Sequence, residues 1–206
     1  MKNKRIRELL DETFSDLKLF YRDANLSDSL IEKYKVGQII KEKGFTDMTS
    51  IGAGLSGNFR YLIASANAKD LAKFNPESAK TGHFLLDEIS FFKILDIQKI
   101  ENKTQVFLLH IPDNSISLFK NSTSNIEEEI TEKARQKFIS KVNSPSIPGL
   151  QTESWKERTK SPIGMSENGE LFFDDSTIKT EELKRIEINK DKKTIEINKK
   201  PWWKIW

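Results

Sequence analysis

The chain has no cysteine among its 206 residues, and only two histidines, six prolines and nine glycines. Missing thiols exclude a disulfide scaffold, a cysteine-based zinc site and a thiol nucleophile, and they suit a reducing compartment. Long hydrophobic runs are missing as well: no stretch approaches the roughly 20 apolar residues that span a bilayer. The opening Met1-Lys2-Asn3-Lys4-Arg5-Ile6-Arg7-Glu8 turns from basic to acidic before any apolar stretch forms, so it does not read as a secretory signal. Together these absences set the expectation of a cytoplasmic protein. Charge of one sign is also scarce, with 34 basic against 31 acidic residues and a formal net charge of +3, too balanced to argue for nucleic acid by itself. Residues 183–206 are the exception, with eight basic and three acidic side chains.

What is present reads as a mixture of helix and strand. Ile6, Leu9, Leu10, Phe14, Leu17, Phe20 and Tyr21 recur at steps of three and four, which predicts an amphipathic helix over residues 3–22. Ser29 to Glu32 has capping-box spacing, and Leu30, Ile31, Tyr34, Ile39 and Ile40 follow before Gly44, so a second helix completes a helical hairpin. Residues 91–100 and 105–111 are strand-like runs around the turn Glu101-Asn102-Lys103-Thr104, an antiparallel hairpin with Ile100 opposite Gln105 and His110 opposite Leu95. Residues 59–64 and 84–86 are neighbouring strands, and Ser117-Leu118-Phe119 a shorter one. Ser124 with Glu127 opens a further helix with Ile126, Ile130, Ala134, Phe138 and Val142 on one face. A linker at 143–149 precedes a short helix around Glu153, and Asn168-Gly169 signals a turn before Leu171-Phe172-Phe173. Ile186-Glu187-Ile188-Asn189-Lys190 recurs as Ile195-Glu196-Ile197-Asn198-Lys199, predicting a C-terminal hairpin.

Several stretches invite a chemical reading. Gly52-Ala53-Gly54-Leu55-Ser56-Gly57 spells GxGxxG, but the run before it is polar, the run after it suits a strand, and no acid closes a second strand about 20 residues on. It is expected to be a flexible connector without nucleotide affinity. His110 falls on an apolar strand face with Val106 and Leu108 and reads as structural, whereas His83 occupies a strand edge exposed enough to act. Asp87 with Asp96 and Lys99 comes near the PD-(D/E)xK nuclease pattern, with the lysine one residue out of register. Ser122-Thr123-Ser124 followed by Glu127-Glu128-Glu129 is similar in residue type to the serine and glutamate motifs of ADP-ribosyltransferases. Those enzymes place the glutamates on a separate loop well beyond the serine strand, so helix capping accounts for these residues here.

The expected fold class is therefore α+β: an N-terminal helical hairpin and one further helix on an antiparallel sheet, with a C-terminal β-hairpin appendage. Residues 1–150 form the core domain, and 151–206 an extension with an aromatic-basic tail. No complete catalytic constellation is legible, which points to a non-catalytic interaction module (inhibitor, adaptor or immunity-type) with a protein partner. Trp202, Trp203, Lys204 and Trp206 are the candidate partner-binding residues, since tryptophan anchors interfaces. The alternative is a nucleic-acid-binding or ribonuclease-like protein using His83 and Arg60, with the basic tail on phosphate. No cofactor and no metal are expected in either case.

Overall fold

The computed structural model describes residues 12–120 and 122–178. Eight strands dominate it: β1 (Lys18–Ala24), β2 (Ile39–Glu42), β3 (Thr46–Thr49), β4 (Phe59–Ser65), β5 (Lys69–Asp70), β6 (His83–Leu86), β7 (Ser90–Ile100) and β8 (Lys103–Ile111). Two helices of more than one turn pack against them, α1 (Asn125–Lys141) and α2 (Glu153–Thr159). The protein is thus a mixed αβ structure in which the sheet is the larger part. Strand order is β2-β7-β8-β4-β1-β3-β6-β5, antiparallel throughout except for the parallel pair β4 and β8.

The register explains how this sheet closes on itself. β6 and β7 lie five places apart in strand order, yet only Asp87, Glu88 and Ile89 join them in the chain. A chain of that length reaches about 14 Å at most. The link between β2 and β3, Lys43-Gly44-Phe45, is equally short, and the pairs Glu42↔Ser90 and Thr46↔Leu86 bracket both links. β2 with β7 and β3 with β6 are therefore one antiparallel ribbon bent in the middle, and the bend brings the two halves of the sheet face to face.

Alternation along the strands then sorts side chains into two cores. Phe20, Ile40, Met48, Phe59, Tyr61, Ile63, Phe92, Ile94, Val106 and Leu108 point inward between the halves. Tyr21, Ile39, Leu62, Ala64, Phe91, Phe107, Leu109 and Ile111 point outward and are covered in part by Ile130 and Ala134 of α1. α1 starts with the expected box: Ser124 Oγ accepts from Glu127 N, and Glu127 accepts from Ser124 N. The carboxylate of Glu127 also receives Lys93 Nζ of β7 at 3.0 Å, a buried pair that fastens the helix to the sheet.

The helical hairpin expected at the N-terminus is not what the described residues form. Helix ends by residue 14, and residues 18–24 are a strand. Because β1 is covered on both faces, its apolar residues crowd into a pattern that also fits a helical stripe. The second predicted helix is a single turn, Asp28–Ile31, followed by β2. Gly37 breaks it, adopting φ +83° and donating its N–H to Ile94 O of β7. Residues 116–119 form a helical turn instead of a strand. The β7–β8 hairpin turns on two residues, not four, with Ile100 opposite Lys103, and a bulge at Leu95 shifts the register so that Phe92 faces His110. The hairpin predicted at residues 186–199 lies outside the described residues.

Candidate functional site

Arg22 belongs to β1 and, like Phe20 and Ala24 on either side, faces inward; its cross-strand neighbour is Tyr61 of β4. Beside it the sheet comes apart, since β1 and β3 share only the pair Tyr21↔Thr49. The guanidinium sits in that opening, 5% exposed. Nη1 donates to Asp47 O at 3.3 Å and Nη2 to Ser161 O at 3.0 Å, while Nε has no partner. Thr46 Oγ1, on the adjacent β3, is also buried without a partner. Burial lowers the Arg22 pKa, and the nearby Tyr61, Asp47 and Glu42 oppose that shift. Among the described residues no carboxylate is bonded to this buried cation.

Two phenols and a carboxylate complete the surroundings. Tyr34 and Tyr61 hydroxyls lie 2.5 Å apart, Tyr34 reaches Ile163 O at 2.8 Å, and Ile163 N donates to Tyr61 at 3.0 Å. With one hydrogen per phenol, a single assignment satisfies all three bonds: Ile163 N–H to Tyr61, Tyr61 O–H to Tyr34, and Tyr34 O–H to Ile163 O. Burial, reinforced by Tyr61, raises the Tyr34 pKa well above the ordinary phenol value. Tyr61 is pushed up to about 12, again by burial, with its bond to Tyr34 opposing the shift. Both phenols therefore stay protonated. Glu42 Oε2 accepts from Gly164 N at 2.8 Å. Residues 161–165 thus run through the opening as a strap whose main chain meets Arg22, Tyr34, Tyr61 and Glu42.

The residues expected to act are elsewhere. His83 is not exposed: 7% of its surface remains, its Nε2 meets Asp47 Oδ1 at 2.7 Å, and the edge of Trp155 from α2 packs on it at 5.0 Å. The helix covering this face could not be seen in the local sequence around His83. Arg60 lies opposite Asp23 on the outer face of the sheet, donating to both carboxylate oxygens at 2.6 and 2.8 Å, and to Ala53 O and Gly54 O. It shares no hydrogen bond or ion pair with His83. The glycine segment is accordingly pinned and not a flexible connector: a Cβ on Gly54 would lie 1.6 Å from Ser144 O. β4 follows it, so no helix N-terminus is there to hold a phosphate. Trp202, Trp203, Lys204 and Trp206 lie outside the described residues. Among the described residues no cluster of three or more His, Cys, Asp or Glu could hold a metal ion, and no helix is long and apolar enough to cross a membrane.

Arg22, Tyr34, Tyr61 and Glu42 escaped sequence reasoning because they fall in three strands' worth of separate patterns. One signal was available. Arg22 is a permanent cation directly after the apolar run Leu19-Phe20-Tyr21.

No family model and no curated protein matches the chain. Solved structures do resemble it. HopU1 of Pseudomonas syringae pv. Tomato, an ADP-ribosyltransferase, is 19% identical over 46% of this chain and 46% of that one, with a TM-score of 0.41. Vis toxin of Vibrio splendidus, also an ADP-ribosyltransferase, is 16% identical over 51% and 52%, at 0.40. Exoenzyme S of Pseudomonas aeruginosa, solved with human 14-3-3 protein beta and bound to carba-NAD, is 8% identical over 62% and 64%, also at 0.40. The chain spans about half the length of the first two. Such scores describe a partial likeness of shape. The expectation of a non-catalytic interaction module, with its nucleic-acid-binding alternative, is corrected at this point: HopU1 and Vis are ADP-ribosyltransferases. Ser124 and Glu127 form a helix cap tied to Lys93.

Proposed function

We propose that this chain is an enzyme that binds a phosphate-bearing nucleotide at Arg22, and that its reaction is transfer of ADP-ribose from a nicotinamide dinucleotide. One observation carries the reading: Arg22 is a buried guanidinium at a gap in the sheet, bonded among the described residues only to main-chain carbonyls and with Nε unpartnered. A buried charge is costly unless paired, and phosphate oxygens match a guanidinium in charge and geometry. The dinucleotide is the choice of substrate that the names of the similar structures suggest.

The bend in the ribbon supplies a carboxylate. Glu88 is exposed in the link 87–89, and the next residue, Ile89, has φ +62°. A β-branched residue in the left-handed region is a strained outlier, and such strain concentrates at functional sites. In the proposed reaction the bond between ribose C1 and the nicotinamide nitrogen breaks, its electron pair leaves with nicotinamide, and positive charge develops on the ribose. Glu88 stabilises that charge while an acceptor, or water, adds to C1 and loses a proton.

Nicotinamide release from NAD tests this. Glu88→Gln, at an exposed position, is expected to keep the fold and to lower turnover by about 10²- to 10⁴-fold, the range for one positioned acid or base. Arg22→Met is expected to abolish binding measured by titration calorimetry. Turnover that survives both substitutions overturns the reading, as does absence of binding in a variant with the strap loosened.

A further inference from the structure

We infer that residues 161–165 are a displaceable lid on the Arg22 opening, holding the protein closed until a nucleotide takes their place. The inference rests on the function proposed above and adds its regulation.

The strap differs from ordinary core filling in how it is held. Ile163 and Met165 are buried with the inner core, and apolar contact alone would account for their position. Yet four main-chain hydrogen bonds also fasten the segment, each to a side chain lining the opening: Ser161 O from Arg22, Ile163 O from Tyr34, Ile163 N to Tyr61, and Gly164 N to Glu42. These four present carbonyl oxygens to a cation and a phenol, and N–H groups to a phenol and a carboxylate, as a polar ligand would. An apolar core needs no such lining.

The match is also incomplete. Arg22 Nε and Thr46 Oγ1 remain buried without partners while the strap is in place. A carbonyl carries a partial charge where a phosphate carries a full one, so an anionic ligand satisfies Arg22 better than Ser161 does. Among the described residues no ladder holds the strap, whose one strand contact there is the isolated bridge Met165↔Leu171. Gly164 at φ +83° and Gly169 at φ +81° stand on either side of that bridge's first residue and the turn beyond it, at positions where the backbone can swing.

Gly164→Ala tests the lid. A Cβ at this position would come within 2.8 Å of Ile40 Cβ on a backbone with positive φ, so the closed state is penalised while no lining side chain changes. The expected result is NAD affinity at least tenfold higher than in the unaltered protein, because a larger fraction of molecules is open. The unaltered protein gives a second measurement that needs no substitution: saturating NAD should speed hydrogen exchange at the Ile163 and Gly164 amides. If NAD binds both proteins equally and those amides stay protected, the lid is overturned, and the proposed function stands provided that Arg22→Met still removes binding. If Gly164→Ala frees the amides and NAD binds neither protein, the proposed function falls and the lid with it.

Discussion

The imidazole of His110, on β8 beside the ring of Phe92, bonds Ser65 Oγ through Nδ1 at 2.9 Å, and burial lowers its pKa from 6.5 to about 4 despite the opposing charge of Asp87. In the unfolded chain the same group titrates near its ordinary value of about 6.5. Above that pH both states are neutral and His110 leaves stability independent of pH. Between about 6.5 and about 4 the unfolded chain binds the proton and the folded one does not, so stability falls as pH falls. The loss reaches at most about 3 kcal/mol at the lower end. Urea unfolding at a series of pH values should therefore show a falling midpoint through this window, and His110→Gln should flatten the slope. The same slope in both proteins would show that another group is responsible.

At the next scale the elements are held by close approaches that single residues permit. Gly54 donates its N–H to Pro145 O at 3.1 Å, bringing the loop after β3 against the chain that leaves α1. A side chain there has no room, because its Cβ would meet Ser144 O at 1.6 Å. Gly54→Ala is expected to destabilise by about 1 to 3 kcal/mol or more through overpacking, read as a lower denaturant midpoint. An unchanged midpoint would mean that loop and helix end are not in contact. The same elements show what a sequence displays and what it hides. α1 was legible because Ser124 and Glu127 mark its start and Ile130, Ala134 and Phe138 repeat on one buried face. The β7–β8 hairpin was legible as two apolar runs around a turn, although nothing local marks the bulge at Leu95. β1 was hidden, since a strand buried on both faces loses its period of two. Its inward residue Arg22 is hidden with it, and the spacing of Tyr34 from Leu30 and Ile31 fits a helical stripe. The candidate site was least visible of all. It depends on residues 161–165 returning to β1 and β4 across more than 100 positions, a contact with no local signature.

For the whole molecule, the same return sets where a folding unit can end. Trp155 packs on His83 and is 5% exposed, while Ile163 and Met165 are 1% and 2% exposed in the inner core. The segment also caps buried polar groups: without it Arg22 loses its bond to Ser161 O, Tyr34 loses Ile163 O, and Tyr61 loses Ile163 N. Deleting one large buried side chain typically costs about 2 to 5 kcal/mol, and each buried polar group left unsatisfied costs about 1 to 3 kcal/mol more. A cut at residue 150 removes α2 and the strap together and puts nothing in their place, unlike displacement of the strap alone by a ligand, and that combined loss rivals the roughly 5 to 15 kcal/mol that holds a whole domain together. We therefore expect a chain ending at residue 150 to have no cooperative unfolding transition, although 1–150 contains all eight described strands. A chain ending at residue 178 is expected to unfold cooperatively, because it retains the strap and α2. Thermal denaturation followed by near-ultraviolet circular dichroism distinguishes the two. A sharp transition in the shorter chain would mean that the core closes without the strap. In that case the polar side chains around Arg22 would have to be satisfied by water, in an opening that is accessible from the start.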